Sequence, residues 1–189
     1  MATRAVGYGQ SMSARMFPPE FVVPTTVVDG RFRVRPLVME DLARDYQAYM
    51  GCVEYLRYGG FLQPPDGALF DWPTPDITIR WALVLLAEIE FSLHYGQRVE
   101  YGIFDLAERE EFGCLYVLPS LKAGYDAQVT MWVRQDVHDE LDALLFEHLR
   151  GWVPTAFPML DRIVFPGREL SWPEWSALPD SGTAVPGWS

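Results

Sequence analysis

Residues 112–145 read FGCLYVLPSLKAGYDAQVTMWVRQDVHDELDALL, and this stretch decides the fold. Two apolar, strand-like runs, FGCLYVLPS and DAQVTMWVR, lie on either side of a turn around LKAGY. The next segment, VHDELDALLFEHLRGWV, repeats apolar residues at helical spacing and predicts an amphipathic helix. The stripe that should pack on the strands consists of Leu141, Leu144, Leu145 and Leu149. A helix that covers paired strands indicates a layered α/β domain.

The segments before this stretch extend the same sheet. RVEYGIFDL, residues 98–106, is strand-like, and the charged AEREE between it and the next strand predicts an antiparallel pair with a solvated turn. Residues 31–37, RFRVRPL, alternate apolar and basic side chains, which predicts a strand with one apolar face. DRIVF, residues 161–165, predicts a short strand that rejoins the sheet.

Two helices are predicted between the first strand and the central strands. EDLARDYQAYM, residues 40–50, begins with acidic residues, which are favourable at a helix N-terminus, and places Leu42, Tyr46 and Tyr49 on one face. The dense apolar run Ile77 to Tyr95 predicts a long, largely buried helix with Asp76 as its N-cap. Gly96 fits the position just after its last turn.

The ends of the chain differ in composition from the centre. Residues 1–30 predict an irregular arm, within which 17–28 is either a packed extension or an edge strand interrupted by Pro24. Residues 31–168 form the predicted domain. Residues 169–189 are a tail rich in Pro and Trp, with one helical turn near residues 173–178.

Charge and cysteine content exclude several classes of function. A net charge of −11 and a sequence pI of about 4.6 disfavour nucleic acid and anionic membrane surfaces as partners. Cys52 and Cys114 lack the spacing of a metal site or a disulfide framework, so no metal is expected. No secretory signal or membrane-spanning run is recognisable, and we expect a cytoplasmic protein.

Three phrases carry a resemblance to a known superfamily. FRVRPLVMEDLARDYQAY looks like the first strand and helix of the GCN5-related N-acetyltransferases (GNATs), and FGCLYVLPS and DAQVTMWVRQ resemble the GCxY and DAxVxxWVR phrases of one bacterial branch. The resemblance covers residues 31–168. It implies a GNAT-like, mixed but mostly antiparallel sheet flanked by helices, and acyl transfer from acetyl-CoA or another acyl-CoA to an amine or other small-molecule acceptor.

The resemblance also assigns cofactor-binding residues. In such enzymes the strand that matches residues 127–134 pairs with the pantetheine arm and the following loop binds the pyrophosphate, which implicates Met131, Trp132, Val133, Arg134 and Gln135. The usual loop, [Q/R]xxGx[G/A], lets backbone N–H groups approach the phosphates at a helix N-terminus.

The phosphate loop of this chain departs from that pattern. Val137 stands in place of the first glycine and Asp139 in place of the second small residue. Asp136, Asp139 and Glu140 predict a carboxylate cap that satisfies the helix N-terminus itself, although Arg134 could instead pair with Asp136 or Glu140. The alternative to an acyltransferase is therefore a GNAT-fold protein that has lost CoA binding and serves as a small-ligand binder, another enzyme or an interaction subunit.

Acyl transfer to an amine requires a proton acceptor and a donor to the leaving group, and four side chains are candidates. Asp126 opens the strand nearest the expected reaction centre, although a turn-capping role is the alternative. Glu100 and Tyr116 lie on neighbouring strands, where Tyr116 could protonate a thiolate or simply pack. His94 lies one helical turn after Glu90 and could be tuned by it.

The aromatic-rich connection between residues 55 and 72 is the candidate acceptor site. Its wall would consist of Tyr55, Tyr58, Phe61 and Trp72. Core packing beneath a long loop, or contact with a second copy in a homodimer, is the alternative interpretation.

Overall fold

The computed structural model describes residues 15–18, 20–65 and 72–182. The strands are β1 (Thr26–Val28), β2 (Phe32–Pro36), β3 (Val99–Asp105), β4 (Glu111–Pro119), β5 (Ala127–Val133) and β6 (Ile163–Val164). The α-helices are α1 (Leu42–Met50), α2 (Val53–Tyr58), α3 (Ile79–His94), α4 (His138–Ala156) and α5 (Trp172–Ala177). Short 3₁₀ turns, Met39–Asp41 and Gln135–Val137, precede α1 and α4.

The strands form one six-stranded sheet in the order β1-β2-β3-β4-β5-β6. All neighbours are antiparallel except β5 and β6, which run parallel through Ala127 opposite Ile163 and Gln128 opposite Val164. The predicted α/β class, with a mixed, mostly antiparallel sheet flanked by helices, is confirmed.

Each face of the sheet has its own apolar core. On one face, α4 packs Leu141, Leu145 and Leu149 against side chains of β3, β4 and β5. The fourth predicted member, Leu144, is only partly buried at the edge of this core. On the other face, α1 and α3 pack around the fully buried Trp132 of β5. Alternation along β5 thus directs neighbouring side chains to opposite cores, as the period of a strand requires.

The long helix begins later than its sequence indicates. We predicted Ile77 to Tyr95 with Asp76 as the N-cap, whereas α3 begins at Ile79 and Thr78 is the N-cap. The Thr78 hydroxyl accepts a hydrogen bond from the Trp81 N–H at 3.3 Å, which satisfies one donor of the first turn. The predicted end is confirmed, because Gly96 follows the last turn with a φ of +68°, in the left-handed region that favours glycine.

Three short elements outside residues 112–145 differ in how well the sequence predicts them. β1 begins after Pro24 and pairs with β2, which is the edge-strand alternative for residues 17–28. α2 was not predicted, because a helix of six residues gives little periodic signal. In the tail, α5 overlaps the predicted turn, with Ser171 as N-cap. Residues 66–71 of the aromatic connection lie outside the described residues.

No helix within the described part of the chain has the length and hydrophobicity needed to cross a membrane.

Candidate functional site

The most distinctive feature of the sheet is the partly unpaired edge of β5. β4 pairs with β5 along its whole length, whereas β6 pairs only with Ala127 and Gln128. Because the Arg134 N–H donates to the Phe112 carbonyl at 2.7 Å, alternation directs the N–H and C=O groups of Met131 and Val133 away from β4. On the side of β5 that faces away from β4, the pairing with β6 ends at Gln128, so within the described residues Met131 and Val133 have no strand partner there.

The side chains along this edge are committed to the two cores. Met131 and Val133 belong to the core beneath α4, and Trp132 is buried on the opposite face. The Trp132 indole N–H donates to the Tyr116 hydroxyl at 2.9 Å. A ligand along β5 could therefore contact these residues only through their backbone groups.

Arg134, at the end of β5, is held by two carboxylates. Its guanidinium donates to both oxygens of Asp136, at 3.0 and 2.8 Å, and to Glu110 at 2.7 Å. Hydrogen bonding with Arg134 lowers the pKa of Asp136. Pairing with Asp136 confirms one of the two partners predicted for Arg134.

The predicted carboxylate cap of α4 is wrong. Val137 is the N-cap residue, and no side chain of the described residues caps this helix. Asp136 is one residue before the cap, and its carboxylate is already bound by Arg134. Asp139 and Glu140 are exposed in the first turn, where their charge favours the helix dipole without capping it. The Gln135 N–H donates to the Cys52 thiol, which partly offsets the rise that burial causes in the pKa of that thiol.

Aromatic side chains gather beside the start of α4. The rings of Tyr55 and Phe61 are 4.6 Å apart, and they contact His138 at 5.6 and 5.0 Å respectively. Arg168 lies 6.0 Å from the Phe61 ring and forms a two-pronged ion pair with Asp142 of α4, at 2.6 and 2.5 Å. The chain after β6 is thereby fixed to both α4 and the connection that follows α2.

The structure does not bring all four predicted acceptor residues together. Tyr55 and Phe61 share the cluster at His138, whereas Trp72 packs against Tyr49 with ring centroids 5.2 Å apart. Tyr58 is 47% exposed on α2, where Arg57 contacts its ring. The acceptor role of these residues stays a prediction, and so does a homodimer.

Two of the four catalytic candidates are neighbours. Glu100 on β3 is directly opposite Tyr116 on β4, and Tyr116 is opposite Thr130 on β5, so these three side chains form a polar row on the face covered by α1 and α3. All three are nearly buried. Arg98 is 3.2 Å from Glu100, and burial raises the pKa of Tyr116 well above its usual value.

The other two candidates lie apart from this row. Asp126 precedes Thr130 by four residues, about 13 Å along a strand, and accepts hydrogen bonds from the N–H groups of Asp161 and Arg162 and from the Arg162 guanidinium. The hydrogen bond from the Arg162 backbone N–H is the main reason that the pKa of Asp126 is lowered. His94 does not pair with Glu90, which accepts from the Met39 N–H, but lines a cavity of about 320 Å³. That cavity is lined by Phe17, Pro18, Phe21, Val23, Pro36, Leu93, His94 and Gly96.

One buried cluster was not predicted at all. Asp45 of α1 meets Glu111 and Cys114 of β4, and one donor atom from each lies within 4.8 Å of the others. Burial, followed by repulsion from nearby carboxylates, raises the pKa of Asp45 to about 7 and that of Glu111 well above its usual value. Sequence could not reveal this cluster, because 66 positions separate Asp45 from Glu111 and neither side chain belongs to a spaced motif.

Comparison with known proteins finds similarity in structure but not in sequence. No family model and no curated protein matches the chain. A solved structure described as a probable acetyltransferase is similar with a TM-score of 0.53 and 14% identity, covering 76% of this chain and 73% of its own. A ribosomal L7/L12 alpha-N-protein acetyltransferase in complex with coenzyme A is also similar, with a TM-score of 0.53, 14% identity and coverage of 75% and 73%. These likenesses show that the chain has the GNAT fold.

Proposed function

We propose that this GNAT-fold chain is a divergent acyltransferase that binds the pantetheine arm of an acyl thioester along the open edge of β5. The observation that carries the proposal is the early end of the β5–β6 pairing at Gln128. Beyond it, the N–H and C=O groups of Met131 and Val133 face away from β4 and have no strand partner among the described residues. Both residues are buried, so a pantetheine arm would pair with these groups by displacing the segment that covers them. The similar acetyltransferase that was solved with coenzyme A supports this class of donor.

The phosphate end of such a donor would be bound weakly. Arg134 is the basic residue of the cofactor set, and Asp136 and Glu110 already engage its guanidinium. A pyrophosphate placed there meets carboxylates at close range, at a cost of about 1 kcal/mol per pair at 4 Å in water. We therefore propose that the loop is a degenerate pyrophosphate site and that recognition rests on pantetheine and the acyl group.

The polar row is the proposed place of chemistry. An acceptor amine would attack the thioester carbonyl, Glu100 would take the amine proton, and the thiolate would leave with a proton from solvent or from Tyr116. We place the proton acceptor at Glu100 because the strand register puts it directly opposite Tyr116. Both carboxylates have an arginine partner, but Asp126 also accepts hydrogen bonds from two backbone N–H groups. The cluster of Tyr55 and Phe61 is the proposed wall for the acceptor.

Calorimetry with two donors tests the proposal. Acetyl-CoA and acetyl-pantetheine should bind with affinities within about tenfold of each other, because the nucleotide diphosphate gains little from Arg134. Much tighter binding of acetyl-CoA would contradict the proposal of a degenerate pyrophosphate site but would agree with an acyltransferase. Absence of binding by both donors at millimolar concentration would contradict the acyltransferase itself.

A second candidate function has one observation in its favour. The polar groups that precede α4 are already engaged within the chain, Arg134 by Asp136 and the Gln135 N–H by the Cys52 thiol. This arrangement fits a GNAT-fold protein that has lost CoA binding and now binds another small ligand or a partner. A thermal shift with neutral aromatic ligands, and none with either donor, would favour it over the first proposal.

A further inference from the structure

The buried cluster of Asp45, Glu111 and Cys114 places three potential metal ligands around one point. The Cys114 sulfur is 3.3 Å from Glu111 Oε1 and 3.8 Å from Asp45 Oδ1. Asp45, Glu111 and Cys114 are 6%, 2% and 1% exposed, so solvent contributes little to stabilising any charge on them.

Two further buried polar atoms at this place have no partner among the described residues. The Tyr49 hydroxyl is one of them, although Tyr49 is completely buried. Tyr49 follows Asp45 by one helical turn on α1, and after burial the nearby Asp45 and Cys114 help to raise the pKa of its hydroxyl. The second is Glu111 Oε2. Orphaned buried polar atoms cost about 1–3 kcal/mol each, so two around one point favour a binding site there.

We propose that Asp45, Glu111 and Cys114 bind a divalent transition metal ion, Zn²⁺, with the Tyr49 hydroxyl beside its fourth position. Zinc bonds of about 2.3 Å to sulfur and about 2.0 Å to oxygen, at tetrahedral angles, put ligand sulfur and oxygen about 3.5 Å apart. The two sulfur–oxygen distances of the cluster, 3.3 and 3.8 Å, bracket that value.

The ligand set favours zinc over the common hard cations. Ca²⁺ and Mg²⁺ take six or more oxygen ligands, whereas this cluster offers one thiol and two carboxyl groups. A thiolate selects a softer ion, and four-coordinate zinc accepts mixed sulfur and oxygen ligands. The guanidinium of Arg44 donates to Asp41 and to the Glu108 carbonyl, and its charge lowers the pKa of Glu111 less than burial and Asp45 raise it.

A bound ion would join two layers of the fold. Asp45 belongs to α1, and Glu111 and Cys114 begin β4, so the ion would fix the helix on the sheet. Binding requires the ligands to lose their protons, and those protons pass to the buffer as the ion takes their place. The role is structural and stands independently of the proposed acyltransferase.

Metal content after refolding tests the proposal. The full chain is refolded with Zn²⁺ or Co²⁺, dialysed and analysed by elemental mass spectrometry and by the thiolate-to-cobalt charge-transfer absorption. We expect one ion per chain, a cobalt–thiolate band, and a higher unfolding temperature with metal than without. Asp45→Asn and Cys114→Ser should lose both the ion and the band, and Tyr49→Phe should bind about 10- to 100-fold more weakly.

The control is the second cysteine. Cys52→Ser leaves the cluster intact and should keep the ion and the band, whereas loss of the band in this variant alone would overturn the assignment. Asp45→Asn should fold, because asparagine has nearly the same shape and replaces a buried carboxyl group by a neutral amide. Circular dichroism verifies that each variant has folded. Refolded wild type without bound metal, or metal retained equally by Asp45→Asn and Cys114→Ser, would also overturn the proposal.

Discussion

The guanidinium of Arg134 donates two hydrogen bonds to the carboxylate of Asp136, Nε to Oδ1 at 3.0 Å and Nη2 to Oδ2 at 2.8 Å. A third bond, from Nη1 to Glu110 at 2.7 Å, leaves one cation between two carboxylates. Any anionic group that approaches the start of α4 must compete with both of them. The charge at this end of β5 thus bears directly on which thioester donors the proposed site would accept.

Releasing Arg134 should change the donor preference. In the double variant Asp136→Asn, Glu110→Gln, both carboxylates are neutral, and acetyl-CoA should gain affinity relative to acetyl-pantetheine. At about 1 kcal/mol per removed like-charge contact, the ratio of the two affinities should rise about 5- to 30-fold, measured by calorimetry at low salt.

A charge-matched double variant separates the release of Arg134 from the general effect of a smaller net negative charge. Glu20→Gln, Glu88→Gln also removes two negative charges, but from exposed side chains outside α4. Its ratio of affinities should stay near that of the wild type. An equal rise in both double variants would mean that net charge, and not the engagement of Arg134, limits phosphate binding.

The open edge of β5 should tolerate a proline at one residue and not at its neighbour. Val133→Pro removes an N–H that faces away from β4, so the sheet should survive while pantetheine binding weakens about 2- to 10-fold for one lost hydrogen bond. Thr130→Pro removes an N–H directed to β4 and should destabilise the fold by about 3 kcal/mol or more. Unfolding midpoints and donor titrations check both variants; unchanged donor affinity in Val133→Pro would contradict the proposed path of the pantetheine arm.

The sheet could be predicted because each strand has a recognisable pattern within a few consecutive residues. Alternation in β2, and apolar runs bounded by turn residues in β4 and β5, depend on neighbouring positions in sequence. Gly96 could be predicted for the same reason, since its conformation is set by the end of a single helix. Thr78 was missed because Asp76 is an equally good cap in sequence, and only the first turn of α3 selects between them.

The site was less predictable because it depends on pairing between distant segments. Asp136 was recognised as a partner for Arg134, but Glu110, 24 positions away, enters only through the antiparallel turn before β4. Similarly, Cys114 has no metal-ligand spacing with Cys52, and its neighbours Asp45 and Glu111 come together only when α1 packs on β4. Which side chains meet at these sites is therefore set by tertiary packing and cannot be read from their spacing in the sequence.

Tyr116 should matter for stability more than its neighbour Tyr101. Its hydroxyl accepts from the Trp132 indole N–H at 2.9 Å, and Tyr116→Phe would leave that buried donor without its partner, at a cost of about 1–3 kcal/mol in unfolding free energy. Tyr101 is also buried, but its hydroxyl has no partner among the described residues, so Tyr101→Phe should cost nothing or stabilise. Urea unfolding compares the two variants. If Tyr116→Phe also stops thiol release from a bound thioester while folded, the result supports Tyr116 as the proton donor; unchanged release would contradict that role.

Asp41 should be the main source of acid sensitivity near α1. It is completely buried and accepts two hydrogen bonds from Arg35, at 2.7 and 2.8 Å, one from Arg44, and one from the Val38 N–H at 3.0 Å. Burial by itself would raise the pKa of Asp41, but these bonds outweigh it and lower the pKa below the usual value. Asp41→Asn should therefore lower the unfolding free energy at pH 7 by about 2–4 kcal/mol, somewhat less than a fully buried ion pair, because both guanidinium groups reach solvent.

The pH dependence follows from the sign of that shift. Because the pKa of Asp41 is lower in the folded chain than the value of about 3.9 in an unfolded one, its contribution is complete above that value and is lost as the pH falls through the folded pKa. The difference in unfolding free energy between wild type and Asp41→Asn should be constant from pH 7 to about 5 and should shrink below about 4. Glu40→Gln, an exposed neighbour, should show no such difference. A difference that grows on acidification would contradict the assignment of Asp41 as a stabilising carboxylate.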